Sequence, residues 1–147
     1  VADMIYPPGG YPELFAKELE RNVGMRKTIK EFAESGGKIL AECGGMIYLT
    51  QEIDGKRMCG VLPLKATMEN ARLTLGYRKV VFPGLSIKGH EFHYSHIVTS
   101  ENIPSVAHQF NVKGMPVTTP IYRFRNTFAC YTHLYWGETD IFKLWHQ

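Results

Sequence analysis

The stretch Lys38-Ile-Leu-Ala-Glu-Cys-Gly-Gly45 constrains this chain more than any other. A short apolar run over 38–42 reads as a buried strand. It stops on Cys43-Gly44-Gly45, and 46–52 then reads as the start of a helix. A strand that feeds a helix through so tight a turn belongs to an α/β sheet, where functional side chains gather at the carboxyl ends of strands. The neighbouring segments agree. Residues 1–6 read as a strand broken by Pro7-Pro-Gly-Gly10, and Pro12 and Glu13 suit a first helical turn. Apolar residues at Leu14, Phe15, Leu19, Met25, Ile29, Phe32 and Ala33 keep helical spacing with a break at 22–24, and Gly36-Gly37 ends the second helix. Alternating β-branched and aromatic runs predict strands around 74–82, 91–99 and 120–124. A last strand near 127–132 runs into His133, and 136–145 reads as a terminal helix. Gly9-Gly10, Cys43 and His133 all fall at predicted strand ends.

Composition narrows the function classes. Across 147 residues, 17 Lys+Arg against 14 Asp+Glu give a net charge of +3, scattered rather than gathered into a stripe, so nucleic acid is not expected as a partner. No apolar run approaches the ~20 residues of a membrane span, and no leader pattern is visible. Three irregularly spaced cysteines fit free thiols in a reducing, cytoplasmic setting better than a disulfide scaffold. The chain begins on Val1 within a strand, and 1–147 reads as one domain cut from a longer polypeptide.

Cys43 has the setting of a nucleophile elbow. The tight turn exposes the side chain, Ala41 and Gly45 leave room for it, and the start of the following helix favours thiolate. A thiolate that attacks a carbonyl needs a proton carrier, and His133, at another strand end, is the candidate. Backbone N–H groups at Gly44 and in the loop Pro8-Gly9-Gly10-Tyr11 would form an oxyanion hole. Cys59 and Cys130 read as core thiols. The histidines of Gly89-His-Glu-Phe-His-Tyr-Ser-His96 do not form a metal site. On a strand, His90 and His93 point to opposite faces, with His93 beside Glu91 and Ser95, so no metal is expected.

Five segments, taken together, resemble a known family: Pro-Gly-Gly-Tyr-Pro-Glu at 8–13, Ala-Glu-Cys-Gly-Gly-Met at 41–46, Leu-Gly-Tyr-Arg at 75–78, Gly-His-Glu-Phe-His-Tyr-Ser at 89–95 and Tyr-Thr-His-Leu at 131–134. The chain resembles, over almost its whole length, the glutaminase domains of cobyrinate a,c-diamide synthases, in the cobalamin-type branch of the class I glutamine amidotransferases. The resemblance implies a flavodoxin-like α/β three-layer sandwich, here lacking the opening strand and helix. It implies Cys43 as nucleophile forming a glutamyl thioester, His133 as acid and base, and Gly10 and Gly44 as oxyanion donors. It further implies L-glutamine as substrate and no cofactor in this domain. Ammonia would pass to an ATP-dependent synthase domain of the same polypeptide, with Mg-ATP bound there and a corrinoid precursor as acceptor. A nickel-sirohydrochlorin amidating enzyme and a non-catalytic interaction domain are the alternatives.

The α-carboxylate and α-amine of glutamine also need partners. Arg72 and Arg78 are candidates for the carboxylate, and Tyr11, Tyr94 and Ser95, with Glu91 and His93, are candidate pocket residues. Many class I members carry Glu two residues after the histidine. Tyr135 stands there, and Glu138 is the candidate for orienting His133 instead.

Overall fold

The structure, a computed structural model, describes residues 2–99 and 101–146; Val1, where the expected first strand begins, lies outside them. The chain opens with β1 (Met4–Ile5), a loop over 7–11 and a 3-10 turn, Pro12–Leu14. Helices α1 (Ala16–Arg21) and α2 (Val23–Glu34) follow, then β2 (Lys38–Glu42) and α3 (Gly44–Leu49). Short strands β3 (Glu52–Ile53), β4 (Lys56–Arg57) and β5 (Lys65–Thr67) precede a long hairpin, β6 (Thr74–Phe82) and β7 (Leu85–His93). Next come β8 (His96–Val98), β9 (His108–Phe110), β10 (Pro116–Val117), β11 (Ile121–Phe124), β12 (Thr127–Cys130) and β13 (His133–Leu134). A 3-10 segment, Ile141–His146, comes last.

The centre is a four-stranded sheet ordered β1-β2-β12-β11, with β2 parallel to both β1 and β12. Every residue of β12 and all but the first of β2 are buried, as befits strands covered on both faces. Ile39, Ala41 and Ala129 face α2, α3 and the small sheet β4-β3-β5-β8. Leu40, Phe128 and Cys130 face the other way, against the antiparallel sheet β10-β9-β6-β7-β13 and the last 3-10 segment. The result is a three-layer α/β sandwich. Each large aliphatic side chain it buries contributes about 1.5–3 kcal/mol. The break between α1 and α2 falls at Asn22, whose side chain accepts from Met25 N–H at 3.1 Å and caps α2.

Three expectations change. The helix expected over 46–52 begins at Gly44 and ends at Leu49, where Thr50 Oγ1 donates to Ile47 O at 2.6 Å and the chain turns into β3. The strand expected over 91–99 is two strands in different sheets, the end of β7 and β8, parted at Tyr94-Ser95. The helix expected over 136–145 is a turn followed by the 3-10 segment. Gly137-Glu-Thr-Asp140 is turn chemistry, and Asp140 Oδ1 accepts from Phe142 N–H at 3.1 Å.

Candidate active site

Cys43 joins β2 to α3 with φ 51° and ψ −113°, a left-handed backbone that costs a non-glycine residue about 1–3 kcal/mol. Two features hold it there: Cys43 N–H donates to Cys130 O at 2.8 Å, and the loop over 7–10 presses against the turn. A Cβ on Gly44 would lie 2.5 Å from Gly10 O, and one on Gly45 would land on the Pro7 carbonyl oxygen. The glycines after Cys43 are therefore required by the close approach of a neighbouring backbone. The same loop reaches His133, since a Cβ on Gly9 would land on His133 Cε1.

The chain leaves the central sheet at Cys130 and joins the outer sheet at β13. There His133 pairs in register with His90, and their rings stack with centroids 4.9 Å apart. Burial, then the nearby His90 and His93, lower the pKa of His133, which favours the neutral imidazole. Burial pushes the Cys43 thiol up to about 11. Glu13, Glu42 and Glu91 push it the same way, and the Gly44 N–H aimed at the sulfur does not offset them. The thiolate expected from the helix start is thus not the resting form. Instead Cys43 Sγ donates to Phe92 O at 3.6 Å, and the geometry is that of a thiol awaiting a base.

The cleft over Cys43 is lined by Gly10, Tyr11 and Glu13 on one side, by Gly44 and Ile47 below, and by Phe92 to Ser95 on the other. It has open space for about one water molecule (≈ 10 Å³), so substrate entry requires it to widen. A larger cavity (≈ 640 Å³) lies over the outer sheet between Tyr77 and Val112, but Cys43 is not part of it. Of the candidate residues, Cys43, Gly10, Gly44, Tyr11, Tyr94 and Ser95 meet in the cleft, and His133 stands behind Gly9. Arg72 lies exposed in the loop before β6. Arg78 is not free to bind substrate: its side chain is 8% exposed and bound to Glu91. Glu138 does not reach His133, because it pairs on the surface with Lys88 at 3.0 Å. Glu13, which the sequence marked only as a helix-start residue, brings a carboxylate into the cleft. The signal was available in Tyr-Pro-Glu, directly after the glycine loop.

The wall formed by β7 rests on a chain of side chains. Arg78 Nε donates to Glu91 Oε1 at 2.8 Å, and His93 Nε2 meets Glu91 Oε2 at 2.8 Å. His93 Nδ1 faces Ser95 O at 2.9 Å, and the ring stacks on Tyr131 at 3.5 Å. Ser95 Oγ and Tyr131 OH lie 3.0 Å apart. Burial raises the Glu91 pKa, but the hydrogen bonds from His93 and Arg78 outweigh it and hold the carboxyl below its usual range. Among the described residues, no three His, Cys, Asp or Glu side chains converge as a metal-ligand set, and no helix is long and apolar enough to cross a membrane.

A strand-turn-helix cysteine, a glycine loop across it and a histidine from the next strand end, in a three-layer α/β sandwich, are the makings of a class I glutamine amidotransferase domain. The chain belongs to the CobB/CobQ-like glutamine amidotransferase domain family, whose model matches residues 1–141. It is 38% identical over 137 residues to hydrogenobyrinate a,c-diamide synthase of Streptomyces coelicolor, covering 88% of this chain and 27% of that one. It is 47% identical over 105 residues to cobyrinate a,c-diamide synthase of Methanocaldococcus jannaschii, covering 66% of this chain and 23% of that one. The chain therefore spans about a quarter of the length of these relatives. A solved glutamine amidotransferase shares the fold, with TM-score 0.59 and 22% identity over 89% of this chain and 70% of that one.

Proposed function

We propose that this chain is a glutaminase unit that releases ammonia from L-glutamine for the a,c-diamidation of a cobyrinate-type corrinoid. The observation that carries the reading is the strained Cys43 elbow, closed on one side by the Gly10 loop, with the His133 ring against Gly9 of that loop. Cys43 Sγ attacks the side-chain carbonyl carbon of glutamine, and the thiol proton passes to His133. The oxyanion that develops is met by backbone N–H groups at Gly10 and Gly44. His133 returns the proton to the departing nitrogen, which leaves as ammonia, and a γ-glutamyl thioester remains on Cys43. Water then attacks the thioester, with His133 taking its proton and passing it to sulfur, and glutamate leaves. Glu13, which lines the cleft, would hold the α-ammonium, with Tyr11, Tyr94 and Ser95 around the rest of the substrate.

The acceptor chemistry comes from the relatives' names, which specify a,c-diamide synthesis. Their greater length leaves room for an ATP-dependent synthase part that would hold Mg-ATP and the corrinoid. Three buried free thiols fit the cytoplasm.

The test is labelling with a diazoketone analogue of glutamine, read by peptide mass spectrometry. Label is expected on Cys43 alone, blocked by excess glutamine, slowed by His133→Ala and absent in Cys43→Ser. Because the base must be neutral and burial lowers its pKa, the acid limb of the labelling rate should have its midpoint below that of an ordinary imidazole. Label spread over Cys43, Cys59 and Cys130 without glutamine protection would overturn the reading.

A further inference from the structure

Glu42 immediately precedes the nucleophile and is 1% exposed, yet its hydrogen-bond donors are neutral. One carboxylate oxygen accepts from Tyr6 OH, and the other accepts from Leu134 N–H at 2.9 Å. Among the described residues no cation pairs with it, and a buried carboxylate without such a partner is costly. Here it is doubly so, because its charge also opposes ionisation of the adjacent Cys43. A residue that works against the neighbouring nucleophile's charge needs another use, and its partners show one. Tyr6 leads directly into the loop over 7–10, which presses on Gly44 and Gly45. Leu134 directly follows His133. Glu42 N–H itself donates to Pro7 O at 3.1 Å, and the Tyr6 ring is backed by Trp136 at 4.8 Å. The three segments that must meet over a substrate carbonyl are the elbow, the oxyanion loop and the histidine strand. They come from three separate strand ends, and this one residue is tied to all of them: it precedes the elbow in the chain, its backbone N–H holds Pro7, and its side chain holds the residues next to the loop and next to His133.

We propose that Glu42 is a positioning residue that fixes His133 and the Gly10 loop relative to Cys43, so that nucleophile, proton carrier and oxyanion donors move as one unit. The inference rests on the glutaminase reading of the site. Glutamine offers a single acceptor oxygen in the same shape. Glu42→Gln therefore keeps one tie and loses the other, placing an N–H₂ against a donor.

The experiment is a double-mutant cycle on the chain. Glutamine turnover and the rate of Cys43 alkylation by iodoacetamide are measured in wild type, Glu42→Gln, His133→Ala and the double variant, with thermal unfolding of each. Glu42→Gln is expected to lower kcat about 10–100-fold, the range for small misplacements of reacting groups, with KM for glutamine unchanged. His133→Ala is expected to slow alkylation in wild type and to have little effect once Glu42 is replaced. If Glu42→Gln does not fold, Tyr6→Phe runs the same cycle with a smaller factor, because it frees only the loop. The proposal fails if kcat is untouched in a folded variant. It fails equally if His133→Ala costs the same factor in both backgrounds, or if kcat is lost only together with Tm and exposure of Cys59 and Cys130. Alkylation does not need glutamine, so a wild type that takes no glutamine analogue fails the glutaminase reading while the cycle still reads the role of Glu42.

Discussion

The two walls of the Cys43 cleft are built differently. On one side the loop over 7–10 lies against the elbow through its backbone and the Pro7 ring, and the contacts of Gly9, Gly44 and Gly45 leave no room for a Cβ. On the other side the end of β7 stands on side chains: Arg78, Glu91, His93, Ser95 and Tyr131 form a chain along the inner face of the hairpin into the core. The first wall is fixed by what is missing from its residues. The second is fixed by charges and rings that must each find a partner. A backbone wall resists through excluded volume, whereas a side-chain wall fails when one member leaves an unpaired charge behind.

That contrast gives the largest expected effect to Arg78. Truncating Arg78→Ala leaves the Glu91 carboxylate buried without its guanidinium partner, a loss of about 3–5 kcal/mol for a broken buried pair. Thermal unfolding should report it, with the larger loss at neutral pH. Arg78→Lys should recover only part, since Arg78 also donates from Nη1 to Tyr77 O at 2.9 Å and a lysine cannot span both. An unfolding curve that hardly moves would mean the β7 wall stands without its ion pair.

The backbone wall is tested by Gly45→Ala. Ala is the better helix former by about 1 kcal/mol, and Gly45 lies inside α3 with ordinary dihedrals. Propensity alone would make the variant more stable. Its Cβ, however, meets the Pro7 carbonyl, which is backbone and cannot swing away. Overpacking of about 1–3 kcal/mol should win, with a net fall in Tm and loss of glutamine-dependent labelling. A gain in Tm would show that the loop over 7–10 gives way easily.

The same contrast explains what the sequence revealed. The strands expected over 38–42 and 74–82 are found with those ends, because their apolar patterns are local and their bounds are turn residues. The backbone half of the site was legible for the same reason: Pro-Gly-Gly and Cys-Gly-Gly announce tight turns wherever they occur. The side-chain half was only half legible. Alternation placed Glu91, His93 and Ser95 on one face, and all three are buried. Periodicity could not show that the strand ends at His93, since the pattern runs on through His96 while Ser95 O turns back to His93 Nδ1. Nor could it assign Arg78, whose partner Glu91 lies diagonally across the hairpin, opposite Gly76. Gly76 makes the room, for a Cβ there would sit 2.6 Å from Arg78 Nη1.

The smallest expected effect concerns Glu138, whose position after the histidine invited a role in orienting it. Among the described residues no carboxylate bonds His133: its backbone pairs with His90, its ring stacks on the His90 ring, and the Gly9 backbone closes the far side. Glu138 faces solvent with Lys88, their side chains 59% and 71% exposed. Exposed pairs of this kind contribute about 0–1 kcal/mol. Glu138→Gln should therefore leave unfolding nearly unchanged and the pH profile of Cys43 labelling superimposable on wild type. A shift of its acid limb toward lower pH would mean that this carboxylate stabilises the protonated His133 ring. The ring would then depend on a surface charge, rather than on the stacking and backbone contacts that the two strand ends provide.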